Sequence, residues 1–97
     1  MATKALKKTY ADKTPADLYK AVFKMFDVTG YNLFKKRDIA NLAIANGTVE
    51  GQKTDLTVTV PYANPAYVLL NLSAEGLTEE QLTEEGRRLF RALSECF

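Results

Sequence analysis

The chain contains no histidine, no tryptophan and a single cysteine, Cys96. Without histidine, no side chain has an unperturbed pKa near neutrality, so a general base would have to be a carboxylate, lysine or tyrosine shifted by its surroundings. Ser-His-Asp and Cys-His chemistry is excluded. One thiol cannot close an internal disulfide, and it is too few ligands for structural zinc, haem or an iron–sulfur cluster. No metal and no cofactor is expected. The same scarcity fits a reducing compartment, and Cys96 reads as a small apolar residue at the end of a helix.

Long apolar runs are also missing. The longest, Ala66 to Leu70, falls far short of the roughly 20 residues that cross a bilayer as a helix. The N-terminal Met1-Ala2-Thr3-Lys4-Ala5-Leu6-Lys7-Lys8 is basic but has no apolar core of signal-peptide length. No membrane span is expected, and the location read from the sequence is cytoplasmic. Charge of one sign is not in excess overall, with a net of +1, yet it is unevenly spread. Residues 1–53 carry ten Lys and Arg against five Asp and Glu, and residues 54–97 carry three against seven. Such a dipolar chain could pack head to tail or face an acidic partner, unless folding brings the halves together and cancels the field.

What is present is the composition of one globular domain. Its 97 residues are 46% hydrophobic and 26% charged, enough for a single core without cross-links. The domain is read as 1–97, with 1–12 a loose N-terminal arm or an edge strand. Thr14-Pro15-Ala16-Asp17 opens a helix, with Thr14 as cap, Pro15 in the first turn and Asp17 at the positive end of the dipole. Leu18, Ala21, Val22, Met25 and Phe26 form its apolar stripe, and Gly30 ends it near Thr29. Tyr31 to Arg37 reads as an edge strand guarded by Lys35, Lys36 and Arg37.

Asn46-Gly47 is a hairpin signal, so 41–45 could pair with 48–52. The preferred reading is one long strand with a bulge at Gly47 and a turn within Gly51 to Thr54. Leu56, Val58 and Val60 then mark a half-buried strand, and Val68, Leu70 and Leu72 another, with Tyr67 and Leu69 pointing the other way. Thr78-Glu79-Glu80-Gln81 is a capping box, flanked by Leu77 and Leu82 as a hydrophobic staple. The helix it opens buries Leu82, Gly86, Leu89, Phe90, Leu93 and Phe97 and is expected to pair Glu84 with Arg88. Gly86 on the buried stripe suggests close approach of another backbone. The fold class that follows is α+β, a three- or four-stranded antiparallel sheet with both helices packed on one face.

The order of elements, with Gly30-Tyr31 after the first helix and Gly47-Thr48-Val49-Glu50 ahead of Leu56-Thr57-Val58-Thr59-Val60, resembles in layout a group of small bacterial strand-helix-three-strand-helix domains of unassigned function, some of them lipid-anchored. The resemblance implies the fold and carries no functional residue across. This sequence has no anchoring cysteine near its N-terminus.

Chemistry-bearing constellations are sparse. Gly47 to Thr54 lacks the Walker spacing, because Gln52 separates Gly51 from Lys53 and a strand follows. Glu79, Glu80, Glu84 and Glu85 crowd a helix start, where the dipole accounts for them, and so small a core leaves little room for a buried polar site. No enzyme activity is expected. The outward face of the sheet offers Tyr62, Tyr67 and Leu69 as a candidate protein interface. Phe34, Lys35, Lys36 and Arg37 are the candidate contact for nucleic acid, a base stacking on the aromatic while the cations hold phosphates. A small-ligand pocket lined by Tyr19, Phe23, Met25 and Phe90 is a third possibility. The reading that follows is a non-catalytic interaction or assembly module that self-associates through an open sheet face or edge strand, or binds another protein, with nucleic-acid binding as the alternative.

Overall fold

A computed structural model describes residues 2–97. The chain runs β1 (Ala2–Tyr10), α1 (Pro15–Thr29), β2 (Asn32–Arg37), a single 3-10 turn (Asp38–Ala40), β3 (Leu42–Val49), β4 (Gln52–Thr59), β5 (Ala66–Ala74) and α2 (Glu79–Ser94). The strands form one antiparallel sheet in the order β1-β5-β4-β3-β2. Its five strands correct the expected three or four. The N-terminal segment supplies the extra one, because all nine residues of β1 pair with β5, from Ala2 opposite Ala74 to Tyr10 opposite Ala66. Of the two readings of 1–12, a loose arm or an edge strand, the segment is the edge strand; with Lys4 and Lys8 among its inward positions, its own alternation left that open and the ladder with β5 decides it.

Both helices start as read. Thr14 Oγ1 accepts from the Asp17 N–H, and Gly30 ends α1 at φ 83°, with the Gly30 and Tyr31 N–H groups both donating to the Phe26 carbonyl. In α2 the Thr78 and Gln81 side chains each accept from the other's backbone N–H. The helices pack on each other and on the same face of the sheet, α2 over β1 and β5 and α1 against β5 and β2. Leu18, Val22, Met25, Leu56, Val58, Val68, Leu70, Leu72, Leu82, Leu89 and Leu93 are the buried core between them.

Three local expectations change. No bulge interrupts β3 at Gly47: the register with β4 is continuous from Leu42 opposite Thr59 to Val49 opposite Gln52. The reversal is a two-residue turn at Glu50 and Gly51, both at positive φ (50° and 79°), as the right-handed twist of a hairpin favours. A turn at Asn46-Gly47 would instead set Ala43 opposite Glu50 and bring that carboxylate to the core face. The bulge lies in β2, where the register shifts between Leu33 and Lys35. Small residues, not large ones, mark the inward face of β3. Ala43 and Ala45 are buried, while Leu42 and Ile44 sit half-buried on the open face. Gly47 faces inward too, and a Cβ there would come to 3.0 Å from the Tyr31 ring.

Around α2 the ion pairs run Glu84 to Arg87 and Glu85 to Arg88, one residue closer than the expected Glu84 to Arg88. Gly86 is met by the Leu6 side chain of β1, 2.7 Å from where a Cβ would stand, rather than by another backbone. Phe97 leaves the buried stripe and packs edge to face on Tyr10 at 5.4 Å, half exposed.

A candidate interaction surface at the β2 edge

With β2 last in the sheet order, one side of its backbone has no strand beside it. All six of its residues are exposed. Large apolar side chains collect here. Phe34 in the bulge is 73% exposed, Leu33 stands beside it, and Ile39 on the 3-10 turn is 92% exposed. Val28, in the last turn of α1 leading into β2, is 68% exposed, and Tyr62 donates a 3.2 Å hydrogen bond to the Ile39 carbonyl. Among the described residues the only other exposed large apolar side chain is Phe97. Buried apolar surface is favourable at roughly 25 cal/mol per Å², so two such groups left in water on the unpaired strand, with Val28 ahead of it and Ile39 and Tyr62 beyond its far end, make the least comfortable surface of the fold.

The alternation of the strand splits the basic run, and the bulge ahead of it sets which face each cation takes. Lys35 pairs with Ile44 and Arg37 with Leu42, which puts them on the open face, whereas Lys36 pairs with Ala43 on the helix side. Lys36 Nζ lies 3.6 Å from an Asp38 carboxylate oxygen and 5.5 Å from the centre of the Phe23 ring. The three cations of the sequence motif therefore do not line a single cradle. Asp38 also accepts a 2.8 Å hydrogen bond from Tyr19, whose hydroxyl reaches the Leu42 carbonyl at 3.3 Å. Burial, then the Asp38 bond and charge, push the Tyr19 hydroxyl up to about 12.

The sequence-derived interface residues part company. Tyr62 is exposed and belongs to the β2 corner through its bond to Ile39. Tyr67 and Leu69 lie on the open face, as read, but both are half-buried. Lys7 Nζ sits 4.3 Å over the Tyr67 ring, and Leu69 stands in a row between Thr59 and Lys7. Tyr19 and Phe23 pack edge to face at 4.9 Å while Met25 and Phe90 belong to the core, so this quartet serves packing. Val28, Leu33, Ile39, Leu42 and Ile44 are the surface residues that the sequence reading missed. Their signal was present as apolar residues out of phase with the core, but only the bulge and the turn at Asp38–Ala40 reveal where they point.

A buried polar site exists after all. The Tyr31 hydroxyl donates to Glu85 Oε2 at 2.6 Å, and Arg88 donates to both Glu85 oxygens at 2.7 Å. Burial first, and then the bond to Glu85, hold the Tyr31 hydroxyl far above its ordinary value; the same carboxylate raises Arg88. An open groove of about 480 Å³ runs past Glu85 and Arg88, between Glu50 at the β3–β4 turn and the first turns of α2. Both oxygens of Glu85 are engaged, so the carboxylate ties α2 to Tyr31, the residue just ahead of β2, rather than standing free for proton transfer. No group of three or more metal-binding side chains occurs among the described residues, and no helix of theirs is long and apolar enough to cross a membrane.

No family model matches the chain, and no curated protein matches it in sequence. Among solved structures it is similar to the crystal structure of Ara h 8.0201, with a TM-score of 0.52 and 11% identity over 95% of this chain and 94% of that one. The likeness is one of fold alone, a small α+β domain resembling the Bet v 1-like arrangement.

Proposed function

We propose that the chain is a non-catalytic assembly module that self-associates through its β2 edge. The observation that supports this reading is the gathering of Leu33, Phe34, Ile39, Val28 and Tyr62 on and beside one unpaired strand. A second copy related by a twofold axis can pair β2 with β2, so that each strand satisfies the open backbone groups of the other and the apolar side chains are covered reciprocally. Stems of Lys35 and Arg37 then lie against the partner's Phe34, where cations and aromatic faces attract. Cys96, half-buried and unbridged, suits a reducing compartment such as the cytoplasm.

Light scattering after size exclusion tests the proposal. A dimer is expected that Phe34→Asp converts to monomer, while Leu69→Asp on the open face leaves it intact. The reverse pattern would move the interface to the sheet face, and a wild-type monomer at high micromolar concentration would end the self-association reading.

A further inference from the structure

At the opposite edge of the sheet, independent of β2, a groove of about 520 Å³ separates β1 from the last turns of α2. Lys8, Arg87, Phe90, Arg91 and Ser94 line it, so three cations face it and no carboxylate does. Arg87 is partnered by Glu84. Among the described residues Lys8 and Arg91 have no carboxylate within ion-pair distance. Ser94 adds a hydroxyl already oriented at the rim, donating to the Phe90 carbonyl at 3.0 Å and 3.4 Å from the Tyr10 hydroxyl.

Basic residues near a helix C-terminus ordinarily answer the dipole, which amounts to roughly half a negative charge there. Three cations exceed that need. Two of them are guanidinium groups one turn apart on the same helix, with forked donors that match the oxygens of a tetrahedral anion, and Lys8 approaches from the facing strand. A singly charged carboxylate would leave this excess uncompensated, whereas a dianion matches the two cations that lack a carboxylate, of which Lys8 also lies 5.4 Å over the Tyr10 ring. We propose that this groove binds the phosphate group of a small ligand, with Lys8 and Arg91 as its principal contacts and Arg87 joining them.

The test is a nitrogen-15 NMR titration of the full chain with inorganic phosphate, pyrophosphate and phenyl phosphate, with ionic strength held constant by chloride. Saturable shifts confined to Lys8 and to the 87–94 turn of α2 are expected, larger in affinity for pyrophosphate. The double variant Lys8→Gln with Arg91→Gln should weaken binding about tenfold, as loss of two solvent-exposed charge contacts implies. Lys35→Gln with Lys36→Gln should leave it unchanged. Tighter binding of phenyl phosphate would identify the ligand as an organic phosphate resting on Phe90, and equal binding would identify free phosphate. Non-saturating shifts, equal shifts with acetate, or equal weakening by the Lys35 and Lys36 variant would overturn the site. Arg91→Lys, which keeps the charge and loses the fork, guards against a folding defect in the double variant and should bind with intermediate affinity; affinity as low as that of the double variant in a folded Arg91→Gln, Lys8 being intact, supports Arg91 as a contact, and wild-type affinity in Arg91→Gln would remove it.

Discussion

Both oxygens of Glu85 are occupied, by Tyr31 and Arg88, and the Tyr31 ring that makes this possible lies over the bare Cα of Gly47. A chain of dependence runs from a glycine in β3 through a tyrosine after α1 to an ion pair on α2. Glu85→Ala leaves a buried hydroxyl and a half-buried guanidinium without their acceptor, so a loss of about 2–4 kcal/mol is expected in urea unfolding. Gly47→Ala displaces the ring instead, and about 1–3 kcal/mol is expected from the crowding. A Tyr31→Phe background keeps the ring and drops the hydroxyl bond, so Gly47→Ala should cost less there; an unchanged cost would show that the crowding does not reach the bond to Glu85. The tyrosines set an alkaline limit. Tyr19, Tyr31 and Tyr10 all have raised folded pKa values, burial being the first cause in each. A raised pKa means that the folded state holds the proton more tightly, so this stability is complete below the unfolded value near 10 and falls as pH rises from there towards 12 and beyond. Tyrosinate absorbance should therefore rise together with loss of circular dichroism; ionisation of these groups in a still-folded chain near pH 10 would contradict it.

Gly86 and Leu6 couple the last helix to the first strand. Alanine at Gly86 gains about 1 kcal/mol of helix propensity but meets the Leu6 side chain. In a Leu6→Ala background that obstacle is gone, so Gly86→Ala should stabilise there by about 1 kcal/mol and do less in the wild type. Equal effects in both backgrounds, measured by chemical unfolding, would show that the contact carries no energy. The elements with local signals were the legible ones. Thr14-Pro15 and Gly30 bound α1, and the Thr78 to Gln81 box opens α2, because caps act through neighbours a few residues away. β1 was half legible, since its Leu6 and Tyr10 gain meaning only opposite Leu70 and Ala66. The inward phase of β3 was not legible because Ala43, Ala45 and Gly47, which carry it, are small, and the ring of Tyr31 needs Gly47 to be small. The candidate surface was legible in its cations and in Phe34 and Tyr62, and not in Ile39, whose exposure depends on a 3-10 turn that no periodicity announces.

At the scale of the molecule, the uneven charge of the sequence becomes two basic sheet edges and one acidic end. Lys4, Lys7 and Lys8 lie on β1 and Lys35, Lys36 and Arg37 on β2, while Glu79, Glu80 and Glu84 gather at the start of α2. Two copies joined through β2 bring like charges together, and salt screens such exposed charges over about 8–10 Å at 0.1–0.15 M. The dimer should accordingly tighten several-fold between low and high salt. Sedimentation equilibrium at the two ionic strengths checks this, and it separates assembly from nucleic-acid binding, which weakens steeply as salt rises.

The pairing of β1 with β5 has a kinetic consequence. β2, β3, β4 and β5 succeed one another as neighbours, so each can join the sheet by closing a short loop, whereas β1 must wait for a strand that lies two-thirds of the way along the chain. Closing that long loop costs entropy that only the completed ladder and the docking of α2 return. The strand made before the other four is thus expected to be the last to find its place, and until it does, the growing sheet has β5 for an edge, with its strand of valine and leucine uncovered.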